Sequence, residues 1–315
     1  MSPPPHPAGE TPHARALGRA YFAVQAAGGA TWWLLVFTGE RVRQATLGGL
    51  DPVLVFALDL PLFVLASPLA AAGVRWALWL ATGWTVLVAL LMVGYATVTG
   101  LAGWGALCML AAGGGSVLAA TLIRTGGLPS AVLFSGPFAF RTARPAGSGA
   151  HLGRTAGQIV LFWGVFLAVI PAVIAAVERR WQLAVEVPAA VRGIGLVLLV
   201  GASALGLCSA AVMSRLGAGT PLPSAMPARL VTRGPYRWVR NPMAVAGIAQ
   251  GVGVGLLLGS WLVVGYAVCG SLFWHVLIRP REEQDLLERF GEPYRAYRGR
   301  VRVWLPIRRR GGASG

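Results

Sequence analysis

The sequence predicts an all-α fold, a polytopic bundle of about eight transmembrane helices followed by a cytoplasmic amphipathic helical segment. Hydrophobic residues make up 56% of the 315 residues and charged residues only 12%, about half the share that is usual in soluble domains. Several apolar runs reach the roughly 20 residues that a helix needs to cross the hydrocarbon core of a bilayer. Because these runs are too long and continuous for barrel strands, we expect helices to satisfy the backbone hydrogen bonds in lipid.

The basic residues indicate a membrane surface rather than nucleic acid. All 27 are Arg, and the formal net charge is +16. They fall between the apolar runs and after the last one, as the positive-inside rule expects of cytoplasmic loops. We therefore expect membrane lipids with anionic headgroups as partners, and no nucleic acid.

Cysteine and histidine usage predicts neither a disulfide nor a metal site. None of the four histidines lies within metal-ligand spacing of another. Three cysteines stand singly inside apolar runs, where a free thiol behaves as a small hydrophobe. They are Cys108, Cys208 and Cys269.

The first half of the chain is predicted to be a tail and an accessory four-span bundle. Residues 1–19, with Pro, Gly and Thr, are typical of a disordered tail. The bundle follows at 20–123. Gly, Pro, Ser and Arg then mark 124–155 as a cytoplasmic linker and the best domain boundary. The four spans are expected at about 20–37, 52–74, 76–98 and 101–123.

One acidic residue, Asp59, lies inside the second predicted span. Acids inside a membrane are functional candidates. An isolated Asp near a Pro can equally bond freed backbone groups or pair with Arg75. By contrast, Gln158 and Gln250 are expected to form hydrogen bonds between helices.

Residues 156–306 are predicted to form the second membrane domain, and 307–315 a basic tail. The last two spans are joined only by Gly259 and Ser260, so they form a tight helical hairpin. The seventh span is rich in glycine, which permits close helix contact in lipid. The four spans are expected at about 156–177, 191–213, 243–258 and 261–278.

The arginines also orient the bundle. With eight spans, the loops on one side hold most of the arginines, and we assign that side to the cytoplasm together with both termini. The opposite loops hold only Arg41, Arg43, Arg179, Arg180 and Arg192.

The segment after the last span has an apolar stripe beneath a basic face, which is typical of an amphipathic helix. Gly291 and Pro293 interrupt the stripe, so we expect two short helices along the membrane surface. The stripe consists of Leu286, Leu287, Phe290, Tyr294, Tyr297 and Val301.

Residues suited to chemistry concentrate in two polar blocks, Leu230–Gly247 and His275–Pro306. In the second block His275, Arg279 and Glu283 are spaced i, i+4 and i+8, so they share one face of a continuous helix. Two interpretations stay open. One is an Arg–Glu pair that caps a span, and the other is a cup whose carboxylates hold a cationic ligand and whose arginine holds an anionic one. Charges this close to a membrane are costly, which favours a functional or paired role.

The two blocks together carry a family resemblance. The first contains G-x-Y-R-x-x-R-[HN]-P, and the second contains R-x-x-E-E-x-x-L-x-x-x-F-G-x-x-Y-x-x-Y and a terminal W-x-P. At this spacing the chain resembles the isoprenylcysteine carboxyl methyltransferase and phospholipid methyltransferase superfamily, integral membrane enzymes that use S-adenosylmethionine (SAM). The resemblance covers about 156–306, with its specific part from Leu230 onward.

This resemblance implies a methyltransferase site. Glu283 would hold the cofactor through its ribose or amino group, and Arg279 with His275 would face the methyl acceptor. Arg240 and Arg279 would be the catalytic arginines, which orient an anionic acceptor by bidentate contacts. The acceptor would be lipophilic or lipid-linked, with a carboxylate or another nucleophile. The remaining cofactor residues would be Arg229, Leu230, Val231, Tyr236, Asn241, Pro242, Met243 and Ala244.

Two positions depart from the family pattern, which often has His in place of Asn241 and Tyr in place of Ala244. Asn can still donate and accept hydrogen bonds, whereas Ala removes an aromatic wall. Two other functions stay open, an NADPH-dependent sterol-type membrane reductase and a non-catalytic membrane scaffold or transporter. The pair Glu282–Glu283 after Arg279 favours the methyltransferases over the reductases.

Overall fold

The described residues of the chain are helical. The computed structural model describes residues 12–127, 157, 160–161, 163–217 and 228–304. Within these ranges the all-α prediction is confirmed, and the one strand-like pairing is a parallel bridge between Val239 and Arg302. They form two compact units, one of the helices up to residue 127 with Arg179–Leu183, and one of the rest. Gln158, the basic tail and the predicted linker beyond Gly127 lie outside the described residues.

The first unit is a bundle whose second membrane helix contains a π turn, Leu60–Leu65. Pro61 lies in this turn, where its missing N–H and its ring disturb regular α-helical hydrogen bonding. The helix before the turn starts at Pro52, and the Asp51 side chain accepts hydrogen bonds from the first free N–H groups. The helices are α1 Pro12–Thr38, α2 Glu40–Leu47, α3 Pro52–Asp59, α4 Ala66–Ala71, α5 Arg75–Thr99 and α6 Gly103–Thr125.

The N-terminal helix begins earlier than predicted. The sequence assigns residues 1–19 to a disordered tail, but α1 starts at Pro12. Proline at the first helical position has its φ angle already set for a helix, and the Ala and Leu residues that follow are strong helix formers. The prediction is therefore wrong for residues 12–19, while residues 1–11 lie outside the described part.

The second unit contains the helices that carry both polar blocks. The last two residues of its first helix belong to the first unit. The elements are a π turn Trp163–Val169, α7 Ile170–Arg180, α8 Ala189–Leu216, a 3-10 turn Gly234–Arg237, α9 Pro242–Leu258, α10 Trp261–Phe273, a π turn Trp274–Ile278, and α11 Arg279–Arg300.

Six helical stretches in the described residues are long and apolar enough to cross a membrane, so the chain is an integral, multi-pass membrane protein. They match the first four predicted spans, the sixth and the eighth. The seventh predicted span is α9, an apolar helix of 17 residues. The fifth span is only partly described. The last stretch continues through the π turn into α11, whose charged residues begin at Arg279.

Helices α9 and α10 form the predicted hairpin. Gly259 ends α9 with a φ of +66°, and the Ser260 hydroxyl accepts the N–H of Val263 at 3.2 Å to begin α10. Ser260 also donates to the buried Glu178 carboxylate. Because the two helices run antiparallel, the hairpin places the start of α9 and the end of α10 at the same end of the unit.

Helices α8 and α9 approach each other through glycine, as the composition of the seventh span predicts. A Cβ atom on Gly253 would lie 2.9 Å from the Gly195 carbonyl oxygen, and one on Gly195 would lie 2.8 Å from that of Gly253. Side chains at these positions would force the helices apart. Gln250 Nε2 donates to Ser203 Oγ at 3.0 Å between the same helices, which confirms its interhelical role.

Asp59 joins three helices of the first unit. Its Oδ2 accepts from Trp33 Nε1 of α1 at 2.7 Å, and its Oδ1 accepts from Trp84 Nε1 of α5 at 2.9 Å. The residue is 6% exposed. Its partners are thus the two indoles, and among the described residues it forms no ion pair with Arg75.

Replacing Asp59 by Ala would leave both indole N–H groups without this partner. A hydrogen bond between membrane helices contributes about 0.6–1.7 kcal/mol, so we expect Asp59→Ala to lower the free energy of unfolding by about 1–3 kcal/mol. Unfolding in mixed micelles, followed by circular dichroism, measures this loss. Asp59→Asn keeps one acceptor oxygen and should lose less, and Leu58→Ala, at a 51% exposed position, is the control. Wild-type stability of Asp59→Ala would contradict the assignment.

Candidate functional site

The two polar blocks are joined by hydrogen bonds. The Tyr297 hydroxyl donates to the Tyr236 carbonyl oxygen at 2.6 Å, and both side chains are buried. The Arg240 amide donates to the Arg302 carbonyl oxygen at 3.0 Å, beside the bridge from Val239. Both contacts link residues about 60 positions apart, so the fold places the blocks side by side.

Asn241 connects the first block to the second. Its Oδ1 accepts the N–H of Ala244 at 3.1 Å, which caps α9, and Pro242 occupies the first helical position. Its Nδ2 donates to Glu282 Oε2 at 3.2 Å. The amide therefore uses both of its functions, donor and acceptor, at the entry to α9.

The second block follows a change in helix geometry. The π turn Trp274–Ile278 widens the helix just before α11, and Gly291 breaks α11 with φ +55° and ψ −127°, a conformation that glycine adopts without strain. This confirms the predicted interruption. Tyr294, Tyr297 and Val301 of the apolar stripe are buried against residues of both blocks.

One carboxylate, Glu283, lies among three guanidinium groups. Its Oε1 is 3.1 Å from Arg240 Nη1 and 3.3 Å from Arg279 Nη1, and its Oε2 is 3.6 Å from Arg298 Nε. The Glu283 side chain is 13% exposed and that of Arg298 is 51% exposed. Counting these four ionised groups alone, the cluster keeps an excess of two positive charges, which favours an anionic ligand.

Arg240 has hydrogen-bonding capacity left over. Burial raises the pKa of the Tyr294 hydroxyl, and the Arg240 guanidinium lies close enough to oppose part of that rise. Its buried Nε and Nη1 atoms make no hydrogen bond within the described residues, although Nη1 lies within ion-pair distance of Glu283. A buried donor without a partner is costly, so these N–H groups are suited to a ligand oxygen.

The neighbouring carboxyl, Glu282, has a different environment. It lies in α11, beyond the apolar part of the last span, and it accepts from Asn241. Burial raises the pKa of Glu282 to about 7, with a further rise from Glu283 and an opposing effect of the Asn241 hydrogen bond. Glu282 therefore titrates near neutral pH, whereas Glu283 is paired with arginines.

A small cavity opens between the blocks. Its volume is about 60 Å³, below the roughly 300 Å³ at which ligand pockets usually begin, so it accommodates part of a cofactor-sized ligand. The Tyr236 hydroxyl is buried in its wall, and burial raises the pKa of Tyr236, which stays neutral. The lining residues are Met213, Arg229, Leu230, Val231, Tyr236, Arg240, Leu286, Phe290, Tyr294 and Tyr297.

The structure brings most of the sequence-predicted residues together. Arg240, Arg279 and Glu283 form the charged cluster. Asn241 bonds Glu282, the residue next to Glu283, and it also caps the first turn of α9, Pro242–Ala244. The other four predicted cofactor residues line the cavity, namely Arg229, Leu230, Val231 and Tyr236.

His275 has a different side-chain partner from Arg279 and Glu283. Its imidazole accepts a hydrogen bond from Trp304, while its carbonyl oxygen accepts one from Arg279 Nε at 3.4 Å. The π turn Trp274–Ile278 includes His275, and its wider geometry shifts the register that the i, i+4 spacing assumes.

Sequence reasoning missed several lining residues. Leu286, Phe290, Tyr294 and Tyr297 were assigned to an apolar stripe, and their lining role follows from the side of α11 that meets Tyr236. Met213 lies near the end of α8 and has no signal in the sequence. Arg298 lies on α11, four residues after Tyr294, and its basic side chain alone did not distinguish it from its neighbours.

Comparison with known proteins agrees with the motif blocks. Residues 191–293, about a third of the chain, match the model of the phospholipid methyltransferase family. The match includes the first block and the start of the second, and it confirms the resemblance to membrane methyltransferases over those residues. No curated protein matches the chain.

A solved structure is also similar, that of a eukaryotic intramembrane Ras methyltransferase, isoprenylcysteine carboxyl methyltransferase. The identity is 16%, the alignment covers 93% of this chain and 97% of that one, and the TM-score is 0.33. A likeness this distant adds no support for the fold or the activity.

The pKa of Glu282 predicts a pH dependence of stability. Because folding raises this pKa from 4.5 to about 7, the folded state binds more protons between these pH values. The stabilisation is thus complete below about pH 4.5 and is lost as the pH rises through about 7. Glu282→Gln stays neutral and should lack this dependence. Unfolding of both proteins at an acidic and a mildly alkaline pH measures the difference between them.

We expect the free energy of unfolding of the wild type, relative to that of Glu282→Gln, to be larger at acidic pH than at mildly alkaline pH. Glu288→Gln, at an exposed position of the same helix, is the matched control and should follow the wild type. If the free energies of unfolding of the wild type and Glu282→Gln differed by the same amount at both pH values, Glu282 would not be the group responsible.

Proposed function

We propose that the chain is an integral membrane methyltransferase that transfers a methyl group from SAM to a lipophilic or lipid-linked acceptor. The observation that carries the proposal is the Glu283 cluster beside a cavity lined by Arg229, Tyr236 and Arg240. The phospholipid methyltransferase match over residues 191–293 supports the same activity.

The residues around the cavity fit the chemistry of SAM. The Glu283 carboxylate would hold a hydroxyl or amino group of the cofactor. The Arg240 Nε–H, which makes no hydrogen bond within the described residues, would hold its carboxylate together with Arg229. Tyr236 and Phe290 supply aromatic surface for an adenine ring or a sulfonium cation. When bound, SAM supplies an activated methyl group on its sulfonium.

The charged cluster also favours a particular class of acceptor. Arg279 and Arg298 add positive charge beside Glu283, so an anionic acceptor such as a carboxylate would be attracted and oriented. A carboxylate or thiolate needs no general base, whereas an ammonium group must first lose a proton. The chain's contribution is then proximity and alignment, which contribute about 7–11 kcal/mol in favourable cases.

The position of the site supports a lipophilic acceptor. The second block begins within the last of the long apolar helical stretches, Trp261–Arg300. Leu272, Phe273 and Val276 are exposed where the block begins, and in a membrane such apolar side chains would face lipid. We propose that both termini and the site lie on the cytoplasmic side, as the arginine distribution indicates. SAM would enter from the cytoplasm, and the acceptor from the bilayer.

Calorimetric binding of SAM and of its demethylated product to detergent-purified protein tests the cofactor. We expect micromolar affinity in the wild type and loss of binding in Glu283→Ala. Glu292→Ala is the matched control, because its carboxylate lies on the same helix and is 76% exposed. If the folded wild type bound NADPH instead of SAM, or bound neither cofactor, the methyltransferase proposal would fail.

Arg279→Ala tests the acceptor role. A hydrogen bond to a charged group contributes about 1.5–3 kcal/mol, so turnover should fall by roughly 10- to 150-fold with SAM affinity unchanged. Methyl transfer from radiolabelled SAM to an isoprenylated cysteine analogue measures turnover. Arg295→Ala, at a 65% exposed position, should remain active. Full turnover in Arg279→Ala would exclude an acceptor contact.

A further inference from the structure

Four residues of the second polar block that follow α11, Val301–Trp304, contact the first block and the start of the second, and we call them the C-terminal clasp. Its Arg302 carbonyl oxygen accepts the Arg240 amide at 3.0 Å in the first block. Its Trp304 Nε1 donates to His275 Nδ1 at 3.0 Å in the second. The clasp therefore holds the backbone of one predicted site residue and the side chain of another.

The Trp304 ring is fixed by two neighbours. Its centroid lies 5.3 Å from that of Trp274 at an interplanar angle of 82°, an edge-on contact that aromatic rings prefer. Its centroid also lies 5.6 Å from that of His275 at 30°. Two ring contacts and a hydrogen bond leave the indole little freedom, so its N–H has a defined direction.

This direction determines which imidazole nitrogen of His275 carries the proton. An indole N–H can only donate, so the Nδ1 that receives it must present a lone pair. In a neutral imidazole the proton then resides on Nε2. Among the described residues His275 makes no other side-chain hydrogen bond, so its Nε2–H is available to a ligand.

We infer that Trp304 is a positioning residue that holds His275 as the neutral Nε2–H tautomer. In this state the imidazole donates one hydrogen bond, and it cannot accept a proton at Nδ1 while Trp304 occupies that lone pair. His275 thus serves as a donor to an oxygen of the methyl acceptor, and not as a base. This last step rests on the proposed function, whereas the tautomer itself does not.

The donor role agrees with the charges nearby. Arg279, one helical turn after His275, is also a pure donor, and its Nε is engaged by the His275 carbonyl oxygen. Each of these two side chains therefore presents N–H groups to an acceptor oxygen. Such donors suit an oxyanion that is already ionised, and in this state neither side chain takes a proton from an ammonium group.

Nuclear magnetic resonance of histidine labelled with ¹⁵N and ¹³C tests the tautomer directly. The chain has four histidines, and His275→Gln identifies the signal of interest by its loss. In the wild type we expect the Nε2–H pattern, with a pyridine-type Nδ1 coupled to the Trp304 indole proton. An Nδ1–H tautomer or an imidazolium at neutral pH would overturn the inference without any variant.

Trp304→Phe separates positioning from packing, because it keeps an aromatic ring beside Trp274 and removes the N–H. We expect His275 to become a mixture of tautomers in this variant. Trp76→Phe, at a 61% exposed position of the first unit, is the matched control and should keep the single tautomer. A single unchanged tautomer in Trp304→Phe would show that the indole does not select it.

The kinetics of methyl transfer are a second test, which is independent of the tautomer measurement. With methyl transfer established, Trp304→Phe should lower kcat/KM for the acceptor by about fivefold to tenfold while SAM affinity is unchanged. If the chain bound no SAM, the proposed function would fail while the tautomer result would stand. A Trp304→Phe protein with mixed tautomers and wild-type kcat/KM would exclude the donor role of His275.

Discussion

The ion pair between Glu283 and Arg240 joins the two halves of the site. Arg240 precedes the first helix of the hairpin and Glu283 follows the second. The ion pair therefore joins the two ends of the hairpin that lie opposite the Gly259–Ser260 turn. Glu283 is also the carboxylate that Arg279 and Arg298 contact, so its loss would leave three neighbouring guanidinium groups without a shared counter-ion. Removing one partner of a largely buried ion pair is strongly destabilising, since the remaining charge is left uncompensated.

Short sequence patterns predicted the parts of this fold that depend on residues close together in the chain. Apolar runs marked the membrane helices, Gly259–Ser260 the hairpin, and the i, i+4 spacing the pair of Arg279 with Glu283. The N-terminal helix start at Pro12 was missed, although proline at a first turn is itself a helix signal. Contacts between distant segments, such as Arg240 with Glu283, have no sequence period from which to infer them.

The π turn at Trp274–Ile278 could not be read from the sequence. An i, i+4 rule assumes an α-helix throughout, and the wider turn changes the register between His275 and Arg279. The structure shows what surrounds the departures from the family pattern at Asn241 and Ala244. Asn241 both caps α9 and bonds Glu282, and the aromatic surface of the cavity comes from other parts of the two blocks.

The C-terminal clasp also has a consequence for shortened forms of the protein. A chain cut directly after α11 would keep the α9–α10 hairpin and the charged residues around Glu283. The Arg240 amide and the His275 ring would lose the partners that the clasp provides. Such a chain would retain the charges of the site without the contacts that hold their carriers in place.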